Sequence, residues 1–208
     1  MSNTLKIGQL PTAYHVIKYP NHEKNKDLIL EMIKNADGHS VDDDWTKMKM
    51  TDLGINVQRT YFDKTIHDEF QNLFENFIEY WNKEQGCPNW INMIYDFWYC
   101  EYEKGDFVKW HTHPLSTMCA IYYLKLPDPQ DVVSFKTWDG DYYIPKIEEG
   151  DILFFPSMQV HSALCTTDEG KVSINFNLKA GFDDVYAQEV KQVLDEQEKG
   201  ENITIESI

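Results

Sequence analysis

The chain has 208 residues, 42 % of them hydrophobic and 14 % aromatic, enough for one domain with a real core and too few for two comfortable ones. A formal net charge of −16 argues against nucleic acid as an electrostatic partner, because phosphate contacts need clustered lysine and arginine. The opening MSNTLKIGQL lacks a signal peptide's apolar core, and no run approaches the roughly 18 apolar residues of a membrane span; a soluble, cytoplasmic protein is expected.

Residues up to about Pro20 read as an entry strand and turn. A first helix is expected from Asn21, with Leu28, Ile29, Met32 and Ile33 on a helical spacing. NADGHSVDDDW then reads as a polar loop, and 55–61 as a short strand. The longest helix is predicted over 65–84, where Ile66, Phe70, Phe74, Phe77 and Trp81 belong to one continuous apolar stripe. Thr65 supplies a cap, and Gly86 followed by Pro88 a stop.

Beyond Trp90 the pattern changes to short β-like runs divided by Gly, Pro and Asp: 91–102, 108–113, 118–126, 132–138, 142–147, 151–155, 161–165 and 172–178. That spacing predicts a mainly β fold with flanking helices (α+β), built as a jelly-roll or cupin-like barrel. The expectation is a single domain: helical support over about 1–89, a barrel core over about 90–180, and a C-terminal helix and tail over about 183–208. Cys87, Cys100, Cys119 and Cys165 show no C-x-x-C spacing and are expected to be packed thiols. Arg59 is the only arginine, so a cation that binds a carboxylate in the second half must be a lysine or a metal.

The chemistry concentrates in YEKGDFVKWHTHP, residues 102–114. On a strand, alternate residues share a face, so His111 and His113 would point the same way, with Lys109 beside them. A third histidine, His161, follows the apolar run GDILFFPSMQV. The bland alternative is two histidines on an exposed strand and one in a loop; the apolar strand that leads into His161 weighs against it. Three ligands on one side of a metal leave positions open on the other, the layout of a catalytic site. Imidazole serves iron, zinc, copper and nickel alike. In the last strand Lys171, Ser173, Asn175 and Asn177 alternate with Val172, Ile174, Phe176 and Leu178. Solvent would account for a polar face on an isolated strand; in a barrel that face points inward, where Lys171 could meet an anion.

At these residues the chain resembles the Fe(II)- and 2-oxoglutarate-dependent oxygenases, which have a double-stranded β-helix fold. Within them it is most similar to the prolyl-hydroxylase-like branch, and closer still to a bacterial and phage group with a H-x-H-P motif. The matching features are Tyr102 through Gly105 to His111, the strand ending Ile121-Tyr122-Tyr123-Leu124, the run Gly-Asp-Ile-Leu-Phe-Phe before His161, and Lys171 ten positions after that histidine. The resemblance implies Fe(II) on His111 and His161, with His113 standing where the family usually has a carboxylate. It implies 2-oxoglutarate bound at its distal carboxylate by Lys171, assisted by Tyr102, Tyr123 and Ser173. It further implies O2 as co-reactant and hydroxylation of a C–H bond with release of succinate and CO2.

The same stretch satisfies part of the cupin signature, although the expected glutamate after H-x-H is missing. A three-histidine cupin that does not use 2-oxoglutarate, or a non-catalytic binding barrel, is the alternative. The substrate would be a small molecule or a peptide, with a peptidyl or free amino acid suggested by the prolyl-hydroxylase likeness. Trp98, Trp110, Trp138 and Tyr142 are candidates for an entrance.

Overall fold

A computed structural model of the protein describes residues 14–35, 38–51, 64–85, 90–137 and 139–182. The chain divides into two compact units, Met1–Lys64 with Ile94–Lys179, and Thr65–Met93 with Ala180–Ile208. The short strand expected over 55–61, the C-terminal helix, Arg59, Cys87 and Trp138 lie outside the described residues.

The larger unit is mainly β. It opens with β1 (His15–Lys18) and α1 (His22–Asn35), whose buried residues His22, Asn25, Ile29 and Ile33 recur on one helical face. Next come β2 (Gly38–Asp42) and β3 (Thr46–Thr51), then β4 (Trp90–Tyr102), β5 (Phe107–His111), β6 (Met118–Lys125) and β7 (Ser134–Lys136). β8 (Tyr142–Tyr143), β9 (Asp151–Pro156), β10 (His161–Leu164) and β11 (Lys171–Phe182) complete it. In the smaller unit α2 (Lys64–Gln85) carries the predicted stripe, with Phe70, Phe74, Phe77 and Ile78 buried.

The strands form one antiparallel sheet in the order β1-β9-β6-β11-β4-β3-β5-β10-β7-β8, with β2 paired to β3. The sheet is curled, because strands far apart in that order meet through their side chains. Phe135 of β7 packs edge-on against Phe155 of β9, ring centroids 5.0 Å apart, and both join Tyr123, Val133 and Leu153 in one buried cluster. Burying these faces against each other is what closes the sheet into a barrel-like layer pair.

Three expectations are corrected. The segment expected to be a polar loop is the β2–β3 hairpin, with Val41 opposite Met48 and Ser40 opposite Lys49. Its polar residues make the turn: Asp43 Oδ1 accepts hydrogen bonds from the backbone N–H of Trp45 at 2.7 Å and Thr46 at 2.8 Å. β3 then pairs with both β4 and β5, bridging the two halves of the sheet. The strand expected over 108–113 stops at His111, because the N–H of His113 is taken by the Ser157 carbonyl and a turn closes from Ser116 N–H to His113 C=O. The strands expected over 132–138 and 142–147 shorten to β7 and β8. Among the described residues no helix is long and apolar enough to cross a membrane.

Candidate metal centre

His111 ends β5, His161 begins β10, and the two are direct partners in the antiparallel ladder. Their rings therefore meet on one face, centroids 4.2 Å apart. His113 arrives from the turn beyond β5, its ring centroid 5.0 Å from that of His111 and 5.2 Å from that of His161. One donor atom from each of the three lies within 4.8 Å of the others, and among the described residues no carboxylate or thiol joins them.

Each ring is held by a group that leaves a nitrogen for a metal. His111 Nδ1 donates to the Lys109 carbonyl at 2.7 Å, and His161 Nδ1 to the Gln159 carbonyl at 2.8 Å. A carbonyl only accepts, so both rings carry their proton on Nδ1 and present a bare Nε2. His113 stacks on Trp98, centroids 5.9 Å apart and planes 24° apart. Its loop is pinned to the turn after β9, where Ser157 Oγ donates to the Ser116 carbonyl at 2.6 Å. Burial pushes His161 down to about 3 and His113 down to about 4, with the neighbouring His111 adding to both effects. Both rings are thus neutral at pH 7, the form that binds a metal. Three imidazoles without a carboxylate suit iron, zinc, copper or nickel, and the donor set fits a divalent ion of that series.

The cluster opens into a cavity of about 390 Å³. Its walls include Trp45 from the hairpin, Trp98 and Tyr102 from β4, and Asn175 and Asn177 from β11. Lys109 also borders it, with Nζ 5.9 Å from the centre of the Trp45 ring. Of the three proposed entrance aromatics among the described residues, only Trp98 lines the cavity; Trp110 and Tyr142 are exposed elsewhere. Cys100 and Cys119 border it as well, their thiols pushed up to about 12 by burial and therefore protonated.

Lys171, Tyr123 and Ser173 do not line the cavity, while Tyr102 does. Lys171 is 3 % exposed, and its Nζ stands 4.5 Å from the centre of the Tyr102 ring. It donates to the carbonyls of Asp131 at 2.5 Å and Leu164 at 2.8 Å. Among the described residues it forms no ion pair with a carboxylate. Burial pulls its ammonium down to about 8, against the opposing pull of the Asp131 carboxylate. Ser173 faces Tyr123 across the β11–β6 ladder. The Tyr123 oxygen accepts from Val133 N–H at 3.1 Å, which leaves its own O–H free to donate. Burial raises the Tyr102 and Tyr123 phenols above their ordinary range, so both remain donors at neutral pH.

The sequence pattern assigns neither the hairpin with Trp45 nor Asp131 to the site, and it marks Cys100 and Cys119 only as packed thiols. Only the first had a signal, the period-two alternation of TKMKMT in β3.

Residues 96–177 match the model of a family described as putative 2OG-Fe(II) oxygenase. No curated protein matches the sequence. Among solved structures, a prolyl-4-hydroxylase from Pseudomonas putida is similar at 13 % identity and a TM-score of 0.59, over 82 % of this chain and 94 % of that one. The viral collagen prolyl hydroxylase from Paramecium Bursaria Chlorella virus-1, solved as a 2-oxoglutarate complex, gives 15 % and 0.55 over 79 % and 94 %. HygX from Streptomyces hygroscopicus, solved with nickel and 2-oxoglutarate, gives 10 % and 0.55 over 81 % and 83 %. At these identities the likeness establishes the fold, the double-stranded β-helix, and the family match agrees with the resemblance read from the motifs.

Proposed function

We propose, from that family match as premise, that the protein is a non-haem Fe(II)- and 2-oxoglutarate-dependent oxygenase that hydroxylates a small molecule or a peptidyl or free amino acid. The observation that carries the reading is the buried Lys171 ammonium, which forms no ion pair among the described residues, on the same curled sheet as three convergent imidazoles. A buried cation that forms no direct ion pair is costly, and a ligand carboxylate is the group that would complete it.

His111, His113 and His161 would hold the metal, and Lys171, Tyr102, Tyr123 and Ser173 the distal carboxylate. When bound, Fe(II), 2-oxoglutarate and O2 together supply the oxidation, placing one oxygen atom in the substrate C–H bond and the other in succinate, with CO2 released. The chain's own part is to orient and to exclude water. Trp98 stacks on the His113 ring, the neutral phenols would donate without competing as anions, and a largely apolar lining would favour substrate over water around the metal. A cytoplasmic setting, which keeps Cys100, Cys119 and Cys165 as thiols, goes with this reading.

Anaerobic addition of Fe(II) and 2-oxoglutarate is expected to produce a visible charge-transfer band, and succinate should form once air and a substrate from a panel of peptides and amino acids are added. Bound iron with no band would sink the proposal. A second reading, a three-histidine cupin-type metalloprotein that ignores 2-oxoglutarate, is favoured by the missing carboxylate in the cluster. Lys171→Ala separates the two: it weakens 2-oxoglutarate binding and spares the metal in the first, and changes neither in the second.

A further inference from the structure

We propose that Asp131 is the positioning residue of the anion site, holding Lys171 through its carbonyl while its carboxylate fixes the turn that supplies the second carbonyl. The inference rests on 2-oxoglutarate being the cosubstrate. Asp131 is 1 % exposed. Both of its carboxylate oxygens accept from Thr166 N–H at 2.9 Å, one accepts from Thr166 Oγ1 at 2.6 Å, and the other from Thr167 N–H at 3.1 Å.

A buried aspartate next to a buried lysine would ordinarily form an ion pair with it. Here the carboxylate is fully engaged by the 166–167 turn, and only the backbone carbonyl of the same residue reaches Nζ. Leu164, whose carbonyl is the other acceptor, lies two residues before Thr166, so the clamp on the turn also aims that carbonyl. Two of the three ammonium donors are thereby occupied by neutral oxygens. One would remain for the ligand, on a charge that no ion pair among the described residues cancels. The groups that bear on Lys171 are Asp131, Cys165, Cys100 and the Tyr102 ring. Burial raises both thiols, so Asp131 is the one that is charged at neutral pH. Its charge helps to keep Lys171 protonated.

Asp131→Asn keeps the shape, turns one acceptor into a donor that opposes the Thr166 and Thr167 N–H groups, and removes the charge. The test is calorimetric titration of 2-oxoglutarate into the Zn(II)-loaded protein from pH 7 to pH 10, a readout free of turnover. Asp131→Asn is expected to weaken binding by about tenfold or more, leave Zn(II) affinity unchanged, and move the alkaline loss of binding to lower pH. Thr166→Val removes one donor and keeps the charge; it should weaken binding about threefold with the alkaline limb in place, and it decides the matter if Asp131→Asn does not fold. Wild-type binding of 2-oxoglutarate with unaltered affinity in whichever variants fold overturns this inference alone, as does equal weakening of Zn(II). Failure of the Zn(II)-loaded wild type to take 2-oxoglutarate overturns the cosubstrate reading and this inference with it.

Discussion

Each imidazole of the cluster is oriented by a group of the chain itself. His111 and His161 are fixed through Nδ1 by carbonyls two residues before them, and His113 by the Trp98 ring. Removing a ligand should therefore cost metal affinity without loss of fold. His113→Ala is expected to weaken Zn(II) or anaerobic Fe(II) binding by more than about tenfold, the loss that outer-shell changes alone can produce, while His113→Asp restores a ligand and retains the ion. Unchanged affinity in His113→Ala would remove it from the ligand set. Lys171 makes a different demand. Its folded pKa of about 8 lies below the ordinary lysine value of 10.5, so between those values the unfolded chain binds the extra proton and stability rises with pH. Below pH 8 the full penalty is present. Lys171→Met lacks the titration, so its stability relative to wild type should fall by roughly 2 kcal/mol from pH 7 to pH 9.5. Chemical denaturation of both proteins across that range checks it, and the phenols and thiols, common to both, drop out of the difference.

At the scale of elements, the turn into β11 leads directly to Lys171. Gly170 has φ +66°, and a Cβ there would stand 2.5 Å from the Tyr102 carbonyl oxygen. Gly105, in the turn between β4 and β5, has φ +87° with open space around it. Gly105→Ala should cost about 1 kcal/mol from backbone strain alone, and Gly170→Ala about 3 kcal/mol or more because the clash is added. Denaturant midpoints of the two variants test the order, and equal values would mean that the β4 backbone yields. The same scale shows what the chain pattern conceals. β11 is legible because its alternation is unbroken from Lys171 to Leu178, and α2 because its stripe runs continuously from Ile66 to Trp81. The β2–β3 hairpin was not, because DDDW and its neighbours are turn formers whether they join two helices or two strands. Register shows the same limit. His111 and His113 looked like neighbours on one strand, but the strand ends between them, where a distant carbonyl on Ser157 captures the next N–H.

For the molecule as a whole, charge and topology act separately. The net charge of −16 gives duplex DNA no counterion release to exploit, so no mobility shift is expected at physiological salt. Under the proposed function a small dianion is different, since a bound metal ion and Lys171 would supply local positive charge on an acidic protein. Residue types and spacing determined that three histidines able to share a metal sit on a β-barrel, and, with Arg59 the only arginine, that a cation for a carboxylate in the second half is expected to be a lysine or a metal. Those properties are local, set by side-chain chemistry and by the two-residue period of strands. Sheet curling decided the rest. It paired His161 directly with His111, brought Phe135 of β7 against Phe155 of β9, and set Trp45 of an unrecognised hairpin at the cavity wall. It also carried Asp131 to a turn 35 residues away. Such contacts depend on which strands meet when the apolar faces are buried, and no spacing within one segment encodes them.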